Sequence, residues 1–384
     1  MLLQTVQQKS RPAINIVRYM SHMLKCALLG LTILLAGSCR QTCPCGICLT
    51  WHLADDEQAS NTVATGDNAS GAGAFHCAGE QANLPVTGDL FRGLSGLAAV
   101  PPSGEQVQAS SGLELAQGDF LAIPEDGGHL LWMQKEATSD DHNHATIYSI
   151  ALPDTGDLEL ESIAVSADRH TVYIGTERES LRASDWILAG TIRETGAGRA
   201  SSDLQFIEEQ RIALPYDNLW SFENDDDYGI EGLCAIDGHL IAAVEYVFEE
   251  QHPGEALRRF APVGVWNTRN GQWQAYHLRL TSDKGRVSSI ACREDSNGNI
   301  QLVAIERDFG IMRLLQFSIP AADTQATDEI TAKVIYDFVA VQPEFKLNLE
   351  GADWYDSNRL MLVSDNQFRA NLDTTTFIIL PIDQ

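Results

Sequence analysis

The chain has 384 residues, 44% of them apolar, enough to bury the core of one large domain or two ordinary ones. Its 53 acidic residues outweigh 26 Lys and Arg, for a formal charge of −27 at pH 7. A field of that sign repels nucleic acid and excludes a nucleic-acid-binding role; it admits a phosphate-bearing substrate only beside a bound cation or a local cluster of Arg and Lys.

The first element is an address. Met23-Leu-Lys25 leads into CALLGLTILLAGSC, an apolar run too short to span a bilayer and of the right length for a secretory signal. It ends in Leu35-Ala36-Gly37-Ser38-Cys39, the pattern of a bacterial lipobox with Cys39 as the lipidated residue, so residues 1–39 read as a signal segment. Simple secretion without lipid is the alternative. Residues 40–86 are rich in Ala, Gly, Ser, Asn, Asp and Gln, and such a composition cannot bury enough surface to offset its chain entropy. This stretch reads as a flexible tether. Within it Cys43, Cys45, Cys48 and Cys77 point to disulfides in an oxidising compartment.

Residues 87–384 form one all-β domain. Apolar runs such as TVYIG, HLIAAVEY, IQLVAIE, RLMLVS and TTFIILPI alternate with Gly, Asp and Asn turns, and no long helical period intervenes. Five hairpins follow one plan, starting at Ser95, Glu161, Glu231, Ser288 and Glu350 and ending at Glu125, Glu177, Glu245, Glu306 and Asp365. A repeat of roughly 60 residues predicts a β-propeller of five or six long blades, with a pair of β-sandwiches as the alternative. Cys234 and Cys292, inside strands, read as small buried fillers.

In a hairpin of two short strands, the first residue and the last lie at the same end. The paired acids therefore converge on one axial mouth. Carboxylates gathered there repel one another unless a cation or Arg joins them, and oxygen-rich sites suit Ca²⁺. The predicted metal set is Glu125, Glu177, Glu231, Glu245, Glu306, Glu350 and Asp365, with Glu306 and Asp365 also as candidate catalytic groups. Arg92, Ser95, Arg307 and Asn366 are the candidate ligand contacts. For Glu161, Glu231 and Glu350 a second reading is structural, each acid accepting backbone N–H bonds from the next blade and locking the ring.

Four segments carry a family resemblance. Gly93-Leu-Ser-Gly-Leu97 with Phe120-Leu-Ala-Ile-Pro-Glu125, Tyr228-Gly-Ile-Glu-Gly-Leu233, Val303-Ala-Ile-Glu-Arg307, and Asn348-Leu-Glu-Gly351 with Leu362-Val-Ser-Asp-Asn366 occur in order across residues 91–368. Together they resemble the motifs of the phytase-like family, whose members are described by an esterase-like activity of phytase; Tyr228 and Ile230 depart from its usual residues. The resemblance implies a secreted or envelope propeller that hydrolyses phosphoesters or esters with Ca²⁺. The alternative is a non-catalytic propeller lipoprotein that recruits a ligand or an envelope partner. The expected location is the cell envelope, through the lipid anchor alone. Cys39→Ser is expected to release the protein from membranes, as read by fractionation; unchanged membrane association counts against the anchor.

Overall fold

The computed structural model describes residues 48–53, 82–87, 93–101, 115–125, 128–135, 142–153, 158–178, 185–195, 204–221, 228–250, 256–295, 298–319, 329–365 and 374–382. Cys39, Arg92 and Asn366, and with them the signal segment and most of the tether, lie outside these residues. Two strands precede the repeats, β1 (Cys48–Leu53) and β2 (Ala82–Thr87). Five groups of four strands, each called a sheet below, then follow among the described residues; the first two are joined edge to edge by one parallel pairing, Gln205 with Ala151.

The first sheet runs through β3 (Leu94–Ala99), β4 (Phe120–Pro124), β5 (His129–Lys135) and β6 (His142–Ala151). The second is β7 (Leu158–Val165), β8 (Val172–Arg178), β9 (Trp186–Glu194) and β10 (Leu204–Ala213), followed by a short helix, α1 (Tyr216–Trp220). The third is β11 (Gly232–Ile236), β12 (His239–Ala243), β14 (Arg258–Asn267) and β15 (Gln272–Arg279), with β13 (Phe248–Glu250) paired to β14. The fourth contains β16 (Arg286–Glu294), β17 (Ile300–Asp308), β18 (Ile311–Ile319) and β20 (Lys333–Asp337), while β19 (Glu329–Thr331) pairs with β15. After helix α2 (Phe338–Val341), the fifth sheet takes β21 (Asn348–Trp354), β22 (Arg359–Asp365) and β23 (Thr374–Pro381) and is completed by β2, antiparallel to β23. The last sheet thus joins an early strand to the end of the chain.

Burial follows position in the sheet. The second strands FLAIP and HLIAA are buried along nearly their whole length, because each packs between two neighbouring sheets. Outer strand β15 (QWQAYHLR) alternates between solvent and core. The apolar side chains form five cores, each between two sequential sheets, including one that joins the fifth sheet (Val363, Phe377) to the first (Leu97, Phe120). This is the closed ring of a β-propeller.

The seams between inner strands are pinned individually. Ser95 Oγ donates to Leu160 O at 2.7 Å, Ser162 Oγ donates to Ile230 O, and Ser288 Oγ donates to Leu349 O at 2.9 Å. Between the fifth and first sheets, Ala99 N–H donates to Asp353 Oδ2 at 2.6 Å. The remaining seam is covalent: Cys234 and Cys292 form a disulfide with Cα atoms 5.8 Å apart. This corrects the sequence expectation of two independent fillers. The residues lie 58 positions apart, in the third and fourth sheets, and the packing of one sheet against the next brings them together. Close approach also demands a missing side chain at Gly351, where a Cβ would fall 2.9 Å from Leu97 N.

Ser288→Ala is expected to destabilise the protein by about 1–2 kcal/mol, since it strands a buried carbonyl without its donor. Urea unfolding checks this; an unchanged midpoint would remove the hydroxyl from the account of the seam.

Candidate functional site

The axial acids are placed by an irregularity repeated in the inner strands. Register shifts fall between Leu94 and Gly96, Leu160 and Ser162, Val287 and Ser289, and Leu349 and Gly351. The skipped residues are Ser95, Glu161, Ser288 and Glu350. A bulge frees its extra residue from the ladder and re-aims the side chain. In the third sheet Glu231 stands immediately before β11 and takes the same place. The three seam hydroxyls of Ser95, Ser162 and Ser288 hold the carbonyls of Leu160, Ile230 and Leu349, the residues directly before Glu161, Glu231 and Glu350.

Glu161, Glu231 and Glu350 are buried, and one oxygen from each lies within 4.8 Å of the others. Glu161 also belongs to a second triad of the same span with Glu125 and Glu159. Arg307 is the cation of the mouth, with Nη2 at 3.1 Å from Glu350, 3.8 Å from Glu245 and 4.0 Å from Glu231. Its Nη1 donates to Asn348 Oδ1 at 3.4 Å, and its buried Nε has no hydrogen-bond partner. Asn348 Nδ2 in turn donates to Glu350 and, at 3.5 Å, to Asp365, which stands opposite it across the β21–β22 ladder. Arg286 supports the rim, 3.5 Å from Glu245. Glu161 itself accepts no hydrogen bond and forms no ion pair among the described residues.

Charge accumulation perturbs the titration of the trio. Burial pushes Glu161 well above the usual carboxylate range, and the charges of Glu177, Glu125 and Glu350 push it further. Glu231 is raised in the same way, by burial and then by Glu161 and Glu245, against the pull of Arg307. Glu350 is raised by burial to about 7, Arg307 opposing and Asp365 adding to the rise. Burial weakens the charge of Arg307, but Glu350, Glu231 and Glu245 more than restore it.

Of the predicted ligand set, Glu231, Glu245 and Glu350 gather around Arg307, Asp365 joins them through Asn348, Glu125 lies in a triad with Glu161, and the charge of Glu177 acts on Glu161. Glu306 does not join them. It accepts bonds from Thr281 N at 3.1 Å, Ser282 N at 3.0 Å and Ser282 Oγ at 2.6 Å, and from the Thr281 hydroxyl. Adjacent strand residues point to opposite faces, so Glu306 turns from the mouth that Arg307 enters. Ser95 is likewise engaged, buried and bonded to Ile123 O and Leu160 O. Among the described residues Glu161, Glu231 and Glu350 accept no backbone N–H bond; the seams are held instead by serine hydroxyls that donate to backbone carbonyls. Arg92 and Asn366 lie outside the described residues. Sequence reasoning placed Glu161 on the rim but outside the ligand set, and left out Glu159, for which the alternation of Glu159 and Glu161 in β7 is the signal.

The donor set is all oxygen, several carboxylates with one amide nearby, and this chemistry fits a hard divalent cation such as Ca²⁺. The shared vertex, Glu161, is where one cation would touch both triads.

A family model described as "Phytase-like: Esterase-like activity of phytase" matches residues 90–368. No curated protein matches the chain. Among solved structures, the PQQ-bound aldose sugar dehydrogenase of Streptomyces coelicolor is 14% identical with a TM-score of 0.37, over 78% of this chain and 98% of that one. The soluble aldose sugar dehydrogenase of Escherichia coli, in its apo-form, is 10% identical with a TM-score of 0.37, over 78% and 100%. A thermostable family-43 glycoside hydrolase is 8% identical with a TM-score of 0.39, over 75% and 88%.

The raised carboxylates set a pH dependence. Their folded-state values lie above the ordinary 4.5, so the stability they permit is complete below about pH 4.5 and is lost as pH rises through about 7 for Glu350. In chelator-treated protein, Glu161→Gln is therefore expected to raise the melting temperature at pH 8 and to change it little at pH 4.5. Equal shifts at both pH values would contradict the electrostatic account.

Proposed function

The chain belongs to the phytase-like family, and from that premise we propose that it is a cation-dependent hydrolase of phosphoesters or simple esters, working at the acidic end of its channel. The observation that carries this reading is Glu161, a buried carboxylate shared by two oxygen triads and, among the described residues, without an ion pair. Glu161, Glu231 and Glu350 would hold a Ca²⁺ ion, with Glu125 and Glu177 behind Glu161 and Glu245 beside Arg307. When bound, the cation offsets substrate charge and polarises the ester or phosphoryl oxygen.

The chain's own groups take the remaining roles. Arg307, fixed by Glu350 and Asn348, grips a substrate oxygen and orients the ester over the mouth. Asp365, half-buried at the rim, accepts a proton from the attacking water. Glu306 holds residues 281–285 in place beneath Arg307 and supports the site from behind. With the proposed anchor at Cys39, the substrate is a small ester or phosphoester met at the cell envelope.

A second reading is a non-catalytic ligand-binding propeller. It is favoured by the way Arg307 already serves Glu231, Glu245 and Glu350 as an internal cation.

Protein purified without chelator is expected to carry stoichiometric Ca²⁺ by mass spectrometry and to hydrolyse aryl esters or aryl phosphates in a Ca²⁺-dependent way. Asp365→Asn is expected to lower kcat/KM by about a hundredfold. Glu161→Gln should abolish Ca²⁺ retention. Retained Ca²⁺ without turnover would select the binding reading, and neither Ca²⁺ nor turnover would sink both uses of the mouth.

A further inference from the structure

The acidic mouth sits at one end of the inner strands; at the other end is a cavity of about 830 Å³. The last residue of every inner strand lines it: Ala99, Val165, Ile236, Glu294 and Trp354. A volume of this size is within the range of small-molecule sites. The Cys234–Cys292 disulfide forms part of the wall.

Two hydrogen-bond donors in this wall lack acceptors. Trp354 is 9% exposed, its ring lies under the Arg293 guanidinium at 3.7 Å, and its buried Nε1 has no partner. Arg169 sits in the β7–β8 turn with φ of 64°, a left-handed conformation that is uncommon for a residue with a side chain. Its Nε donates to Pro101 O at 2.8 Å, which fixes the guanidinium, while its buried Nη2 has no acceptor. Stranded buried donors are costly, and strained backbone collects at ligand-binding positions.

The acids around the cavity are largely committed. Asp168 accepts from Ser166 Oγ and His170 N, Asp237 pairs with Arg269, and Asp356 pairs with Arg359. Asp353 accepts from Ala99 N and Trp354 N. Glu294 stands exposed at the rim, where water screens it. The demand left over is for acceptor oxygens, and the rest of the wall (Ala164, Val165, Ala235, Ile236) is apolar. A chain of net charge −27 disfavours a polyanion.

We propose that this end of the channel is a second ligand site, separate from the acidic mouth, and that it takes a small monocarboxylic acid with an apolar body. The carboxylate accepts from Arg169 Nη2 and Trp354 Nε1, and the body lies along Ala164, Val165, Ala235 and Ile236. The site does not depend on hydrolysis at the other end.

Calorimetry on the full chain, with EDTA present, tests it with benzoate and 3-phenylpropanoate against their neutral amides. At least one acid is expected to bind, with its amide at least about tenfold weaker, as expected for loss of a charge-assisted hydrogen bond. Arg169→Gln should weaken the acid by a similar factor, Trp354→Phe should weaken it severalfold while keeping a ring under Arg293, and Glu161→Gln should leave it unchanged. The proposal is overturned by no binding of either acid at millimolar concentration or by equal affinity for acid and amide. Binding indifferent to both Arg169→Gln and Trp354→Phe, or lost in Glu161→Gln, overturns it as well.

Discussion

Three serine hydroxyls, each reaching across a seam to a neighbouring carbonyl, fix the geometry on which the acidic mouth depends. Ser95, Ser162 and Ser288 grip the carbonyls of Leu160, Ile230 and Leu349, and the next residue in each case is an axial glutamate. A seam of this kind does two tasks with one bond. It ties adjacent sheets where apolar packing has no directional preference, and it sets the backbone from which a carboxylate projects. The two seams without such a serine are closed by the Cys234–Cys292 disulfide and by the Asp353 bond to Ala99 N. Every inner strand is therefore held on both sides.

That rigidity is used to hold an unfavourable charge arrangement. Burying Glu161, Glu231 and Glu350 together raises all three toward neutrality, and Arg307 offsets only part of the repulsion. A flexible scaffold would relax by splaying the carboxylates into water. Here the bulged strands and pinned carbonyls prevent it, and the sheets on either side resist movement because each interior face is packed. Arg307 divides the mouth: it contacts Glu231, Glu245 and Glu350, and leaves Glu161 as the oxygen-rich corner. The asymmetry comes from one residue in one blade and is not a property of the repeat.

The two ends of the channel are chemically opposite although the same five strands build both. At their beginnings buried carboxylates crowd around Arg307; at their ends, among the described residues, the N–H donors of Arg169 and Trp354 are left without acceptors. The repeat supplies a pore, and short departures from it give each end its character. These are the bulge residues at one end and the β7–β8 turn at the other.

The sequence by itself determined the architecture and the presence of an acidic rim, because both rest on local patterns: apolar runs of strand length, turn residues, and acids at matched hairpin ends. Residues 87–384 read as a propeller for that reason, and Glu231, Glu350 and Asp365 were legible as neighbours. What each side chain touches was decided only by tertiary structure. Glu306 and Arg307 are adjacent in sequence, yet the pleat sends one to the 281–285 loop and the other to the mouth. Glu161 became the shared vertex through a bulge that no periodicity announces, and Cys234 met Cys292 only because the third sheet packs against the fourth. Hairpin spacing fixes which end of a strand a residue occupies; the direction in which its side chain points depends on register, bulges and neighbouring sheets, which are long-range properties of the folded ring.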